Sequence, residues 1–164
     1  MSSCCSQESC SIEAQSASEV CPRCSTKGSS VDPITLKALL TADGLRRGVP
    51  PAPRFCANPN CDVVYFDNAV PIIFRENELT VPVHAKHPED DDVPACFCFD
   101  YTPRRIRGEI ERGGKNTAVS KTITAEVKAG HCACEVKNPK GVCCLGDIAK
   151  IERRLAAELV TINQ

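Results

Sequence analysis

The rhythm of the apolar positions changes about two-thirds of the way along the 164 residues. β-Branched and aromatic residues run together from Asp62 to Phe66 (DVVYF), the turn Asp67, Asn68 follows, and then come residues 70–75 (VPIIFR) and 79–84 (LTVPVH), separated by the polar turn Glu76, Asn77, Glu78. Short runs of this kind around a polar turn predict a β-hairpin over 70–84. Pro71 and Pro82 lack a ladder donor, so these strands belong at edges. Beyond residue 100 the spacing becomes helical. Thr102 is an N-cap with Pro103 at the first helical position, Ile106 and Ile110 lie one turn apart, and Gly113 and Gly114 end the segment. Val119, Ile123 and Val127 mark a second helix, from about Asn116 to Gly130. Ile148, Ile151, Leu155 and Leu159 mark a third, from about Asp147. Each carries a single apolar face, which reads as core. Upstream, Ile34, Leu36, Leu39 and Leu40 predict a short helix from Thr35, and the Pro-rich residues 48–53 a connector.

The expected fold class is α+β, a small β unit (residues 20–87) followed by an all-helical unit (96–164). The Ser-rich residues 1–19, with little apolar content beyond Ile12, read as a disordered tail. Residues 88–95 read as an acidic linker whose consecutive carboxylates repel and stay solvated, leaving two semi-independent modules.

Composition narrows the function classes. The net charge is -1, and the Arg pairs 46/47, 104/105 and 153/154 are interleaved with acids, so the clustered basic face of a nucleic-acid binder is lacking. No stretch reaches the ~20 apolar residues that span a bilayer, and the N-terminus has neither the basic start nor the apolar run of a secretory signal. No membrane insertion and a cytoplasmic location are expected, with thiols kept reduced. No Ser/His/Asp arrangement, Gly-rich phosphate loop or carboxylate dyad supports a hydrolase or a kinase. Aromatic residues make up 4% and tryptophan is absent, so a small, thin core needs another staple.

Thirteen cysteines supply one. Cys21 and Cys24 sit in CPRC, Cys56 and Cys61 in CANPNC, Cys96 and Cys98 in CFC, and Cys132 and Cys134 in CAC, while Cys143 and Cys144 are adjacent. Such close pairs suit tetrahedral thiolate coordination. In CPRC and CANPNC, proline-containing turns fold each pair together. Four thiolates around one Zn²⁺ would leave no open position, so that site would be structural and the β unit zinc-ribbon-like. The C-x-C spacing of CFC is unusual for a zinc knuckle and suits a [2Fe–2S] cluster, with two thiolates per iron. The turn Asn138, Pro139, Lys140, Gly141 would fold Cys143 or Cys144 back over Cys134. Adjacent side chains diverge, so only one of those two reaches the cluster. Cys4, Cys5 and Cys10 in the tail could capture Cu(I) or another soft ion, and Cys132 with Cys143 is a second such pair. His131 beside Cys132 reads as solvent-facing, and His84 and His87 as idle residues at a strand exit.

The order CFC, helix, GG, helix, AGHCAC resembles the bacterioferritin-associated ferredoxins, a family of helical [2Fe–2S] domains. It departs from them in the longer CEVKNPKGVCC segment. That segment, with CPRC and FCANPNCDVVYF upstream, is similar to the N-terminal metal domain of the CopZ-type copper chaperones over residues 20–160. This resemblance implies a cluster on Cys96, Cys98, Cys134 and Cys144, and zinc on Cys21, Cys24, Cys56 and Cys61. It also implies a role in copper homeostasis, a metallochaperone-like one, with a copper chaperone or a transporting ATPase as partner. Those chaperones continue into a copper-binding domain with a Met-x-Cys-x-x-Cys loop. Here the only methionine is Met1 and the chain ends at Gln164, so that module is expected to be absent. The expectation is a cytosolic zinc and iron–sulfur protein that transfers single electrons in support of metal trafficking. The alternatives are a non-redox zinc adaptor and a ferredoxin-type donor to an unrelated reductase.

Overall fold

A computed structural model of the chain describes residues 19–113 and 118–162. The predicted tail, with Cys4, Cys5 and Cys10, lies outside the described residues except for Glu19. That carboxylate pairs with Lys27 at 3.0 Å and Arg54 at 2.6 Å, so it belongs to the folded unit. The predicted start of the second helix also falls outside them.

Four short strands form an antiparallel sheet in chain order: β1 (Ser29–Ser30), β2 (Arg54–Phe55), β3 (Val63–Asp67) and β4 (Ile72–Arg75). Two helices lie between β1 and β2. In α1 (Pro33–Leu39), Asp32 caps the Ile34 amide and Pro33 opens the first turn, two residues ahead of the expected Thr35 start. In α2 (Ala42–Arg46), which the sequence reading missed, Thr41 caps Gly44.

The hairpin forms between β3 and β4, around the turn expected at Asp67 and Asn68 rather than the one expected at 76–78, with the Asp67 carboxylate accepting the turn amides of Ala69 and Val70. Residues 79–84 are not a strand. Glu76–Glu78 wind into a 3-10 turn, and the two acids hold it: the Arg75 amide donates to Glu78 (2.9 Å) and the Val83 amide to Glu76 (2.6 Å). Pro82 has no amide to donate to a ladder, and Leu79 bridges to Leu40 rather than to β4. His84–Lys86 make a second 3-10 turn.

The second half is helical: α3 (Pro103–Gly113), α4 (Val119–Lys128), α5 (Cys134–Lys137) and α6 (Leu145–Ile162). The Thr102 hydroxyl caps the Arg105 amide as its position predicts. Ile106, Val119, Ile123, Ile148, Ile151 and Leu155 close one core, and each fully buried aliphatic side chain contributes about 1.5–3 kcal/mol. A second core under the sheet joins Leu36, Leu40, Phe55, Tyr65 and Phe74. No described helix is long and apolar enough to cross a membrane.

The acidic segment is exposed at Glu89, Asp90 and Asp92 and is tied to the helical half by ion pairs. Asp92 forms a two-pronged pair with Arg104 (2.5 and 2.8 Å), Asp91 lies 3.8 Å from Arg107, and Val93 is buried. The two halves are docked. The Tyr65 hydroxyl donates to the Pro139 carbonyl at 2.7 Å, and the Thr35 hydroxyl to that of Glu135 at 2.5 Å.

Candidate metal centres

The first centre is built on two knuckles. Cys21 and Cys24 flank a tight turn closed by hydrogen bonds between residue 21 and residues 25 and 26, and Ser25 takes the left-handed conformation (φ 57°) as the chain leaves it. Cys56 follows β2 directly, its amide extending the ladder to Val64. The Asn58 side chain accepts the Asn60 amide and its carbonyl accepts the Cys61 amide, which folds Cys61 back toward Cys56.

All four sulfurs lie within 4.8 Å of one another, with Cys21–Cys61 at 3.9 Å and Cys24–Cys56 at 3.6 Å. A disulfide would need about 2.05 Å. A tetrahedron with Zn–S bonds of about 2.3 Å has edges of about 3.8 Å, so these residues fit a closed four-thiolate ion. Val63, Phe66 and Ile73 enclose the site, and Cys24 is its most accessible corner.

Without metal the thiols share protons unequally. The Thr26 hydrogen bond holds Cys24 down at about 6, whereas burial pushes Cys56 up to about 12 and raises Cys61. A bound cation would replace those protons. Outside the thiolates, the Lys86 ammonium donates to the Asn58 carbonyl at 2.8 Å and favours the Cys56 thiolate electrostatically. No sequence signal links Lys86 to residue 58, because the contact exists only once the 84–86 turn is folded.

The second set is arranged differently. Cys96 and Cys98 lie on a loop pinched by reciprocal hydrogen bonds between Cys96 and Tyr101, and Asp100 takes the left-handed conformation (φ 54°). Cys134 opens α5. Cys144 sits immediately before α6, its carbonyl accepting the Asp147 and Ile148 amides. Cys98 and Cys134 are 3.7 Å apart, and the Ala133 amide donates to the Cys98 sulfur at 3.3 Å. The neighbouring Cys144 thiol lowers Cys96 to about 6 and Cys96 in turn raises Cys144, while burial lifts Cys134 to about 12. Among the described residues only the first quartet has all its sulfurs within 4.8 Å. In the second, Cys98 and Cys134 form a close pair.

Of the adjacent cysteines, Cys144 is buried in the helical core and Cys143 is exposed. Cys132 is half-buried. His131 is exposed and bonds Glu126 at 2.7 Å. His87 is not idle, since it bonds Glu76 at 2.7 Å. Nor does His84 leave a strand: it lines a cavity of about 60 Å³ with Phe97, Asn138, Lys140 and Asp147, where its Nδ1 is buried without a partner.

Comparison with known proteins agrees with this architecture. Residues 18–80 match the family model of a CopZ-type zinc binding domain. The copper chaperone CopZ of Archaeoglobus fulgidus is 36% identical over 124 residues, which cover 76% of this chain and 57% of that protein. The chain thus spans little more than half the length of that relative. The X-ray structure of the Archaeoglobus fulgidus CopZ N-terminal domain aligns with a TM-score of 0.65 at 30% identity, over 80% of this chain and 96% of that one. A likeness of that extent runs past residue 80 into the helical half. The chain belongs to the family of the CopZ N-terminal domain, and its cysteine quartet at residues 21–61 makes the first unit a metal-binding one.

Proposed function

We propose that this chain is a cytoplasmic two-centre metalloprotein of copper or related soft-metal handling. A structural zinc is held by Cys21, Cys24, Cys56 and Cys61, and a [2Fe–2S] cluster by Cys96, Cys98, Cys134 and Cys144. The observation that carries the reading is the looser second set, in which Cys98 and Cys134 make a close pair at 3.7 Å and, among the described residues, no third ligand atom lies within 4.8 Å of both. One tetrahedral ion calls for a single compact quartet such as the first centre has. Two irons call for a pair of thiolates each.

When bound, such a cluster takes up and returns one electron, which would convert a Cu(II) substrate to the Cu(I) that soft thiolates favour, with an external one-electron donor restoring it. The chain's own residues hold the thiolates and limit solvent. Cys96, Cys134 and Cys144 are buried, and the Ala133 amide adds a hydrogen bond to Cys98. A copper chaperone or a transporting ATPase would receive the metal.

Absorption spectra and metal analysis of anaerobically prepared protein test this reading. Roughly one zinc and two iron per chain are expected, with visible absorption that Cys98→Ala abolishes while zinc stays. A full-intensity spectrum in Cys98→Ala would overturn the ligand assignment. A colourless wild-type protein with zinc in both centres would leave the non-redox adaptor.

A further inference from the structure

The loop that carries Cys134 and Cys144 is not shaped by the helical unit alone. Its turn rests on the β unit. The Tyr65 side chain is fully buried and its phenol O–H donates to the Pro139 carbonyl, itself buried, at 2.7 Å. One turn earlier the buried Thr35 hydroxyl donates to the Glu135 carbonyl. Asn138 locks the turn from within, its side-chain oxygen accepting the Lys140 amide and its NH₂ donating to the Val142 carbonyl. Gly141 takes φ +67°, and a Cβ there would lie 3.0 Å from the Thr35 hydroxyl oxygen and 3.1 Å from Val31. The loop therefore lies flush on the N-terminus of α1 and beneath Tyr65.

We infer that Tyr65 is a positioning residue for the second set of thiolates, fixing from the β unit the turn that sets Cys134 against Cys144. Tyr65 touches no sulfur and acts through the Pro139 carbonyl. This rests on the reading of Cys96, Cys98, Cys134 and Cys144 as cluster ligands. The same strand reaches the first centre: Val63 and Phe66 pack on Cys21, Cys56 and Cys61, while Tyr65 between them belongs to the core under the sheet. A bulge between Val63 and Tyr65 lets β3 serve both centres. Groups that orient metal ligands from outside the coordination shell are worth about 10- to 100-fold in metal retention. Losing the phenol would also leave a buried carbonyl unpaired.

The test is Tyr65→Phe in the full chain, which keeps the ring and removes one oxygen. The expected result is unchanged zinc content with iron released to a chelator about tenfold faster, and an altered visible circular dichroism of the cluster. Phe74→Leu, in the same core without a hydrogen bond to the loop, is expected to lower thermal stability and leave that spectrum alone. If Tyr65→Phe lost its zinc, Thr35→Val would carry the same expectation through Glu135. Wild-type release rates and spectra in Tyr65→Phe and Thr35→Val overturn the inference while the cluster reading stands. A wild-type protein without iron overturns both.

Discussion

Replacing Cys61 by serine tests the first centre most directly. Cys61 is 5% exposed, lies 3.9 Å from Cys21 and is held in place by the Asn58 turn, so the hydroxyl would arrive where the thiolate was. An alcohol does not ionise near neutral pH and is a poor zinc ligand. Structural zinc sites bind with about 10–16 kcal/mol, or about 2.5–4 kcal/mol per thiolate if four share it. That is a loss of roughly 10²- to 10³-fold in affinity. The structural consequence is expected to be large as well, because only Val63, Phe66 and the half-buried Ile73 surround the sulfurs and β1 and β2 are two residues each. Competition against a chromogenic zinc chelator reads the affinity, and limited proteolysis reads the opening of the knuckles. The exposed Cys143→Ser is the matched control, expected to leave both unchanged. Zinc affinity and protease resistance equal to those of the unaltered chain would refute the closed four-thiolate site.

Two further outcomes follow from neighbouring side chains. Lys86→Met removes the ammonium from the Asn58 carbonyl and from the field at Cys56 and is expected to weaken zinc about tenfold by the same competition assay, whereas an unchanged affinity would make Lys86 a bystander. Burial lowers the His84 imidazole below its ordinary value, against the opposing pull of Asp147. The unfolded chain therefore binds that proton more readily, and the stabilisation is full above about pH 6.5 and lost as pH falls through the lowered value. His84→Gln is expected to flatten the acid limb of urea midpoints measured from roughly pH 7.5 to 5.5, and superimposable slopes would count against it.

Helix spacing was legible in the second half because the apolar stripes of α3, α4 and α6 are local and each buries one face. The cysteine pairs were legible because thiolate coordination needs short loops. Strands of two residues were not, since β1 and β2 carry no period of their own and exist only by pairing, β1 with β2 and β2 with β3. The strand expected over 79–84 failed on carboxylates: Glu76 and Glu78 accept backbone amides that a ladder would have used. The ion pairs of the acidic run were not legible, because its arginine partners lie 12 to 16 residues away on α3. Which of Cys143 and Cys144 is buried was legible only in three dimensions, because the direction of α6 decides which of the two faces the core.

The sheet pairs its four strands in chain order, and that bears on synthesis. The four strands and the four sulfurs of the first centre are complete by Arg75, whereas Cys144 lies 83 residues beyond Cys61. At about 5–20 residues per second, the ribosome takes about 4–17 seconds to cover that interval. The β unit is thus poised to close on its ion while the ligand loop of the second centre is still being made, and Tyr65 is in place before Pro139 emerges. On the proposed reading of the two centres, this order puts zinc first and iron second. Zinc shortage in a growing cell is then expected to surface as a shortfall of iron in this protein, which metal analysis of chains made under zinc limitation would detect.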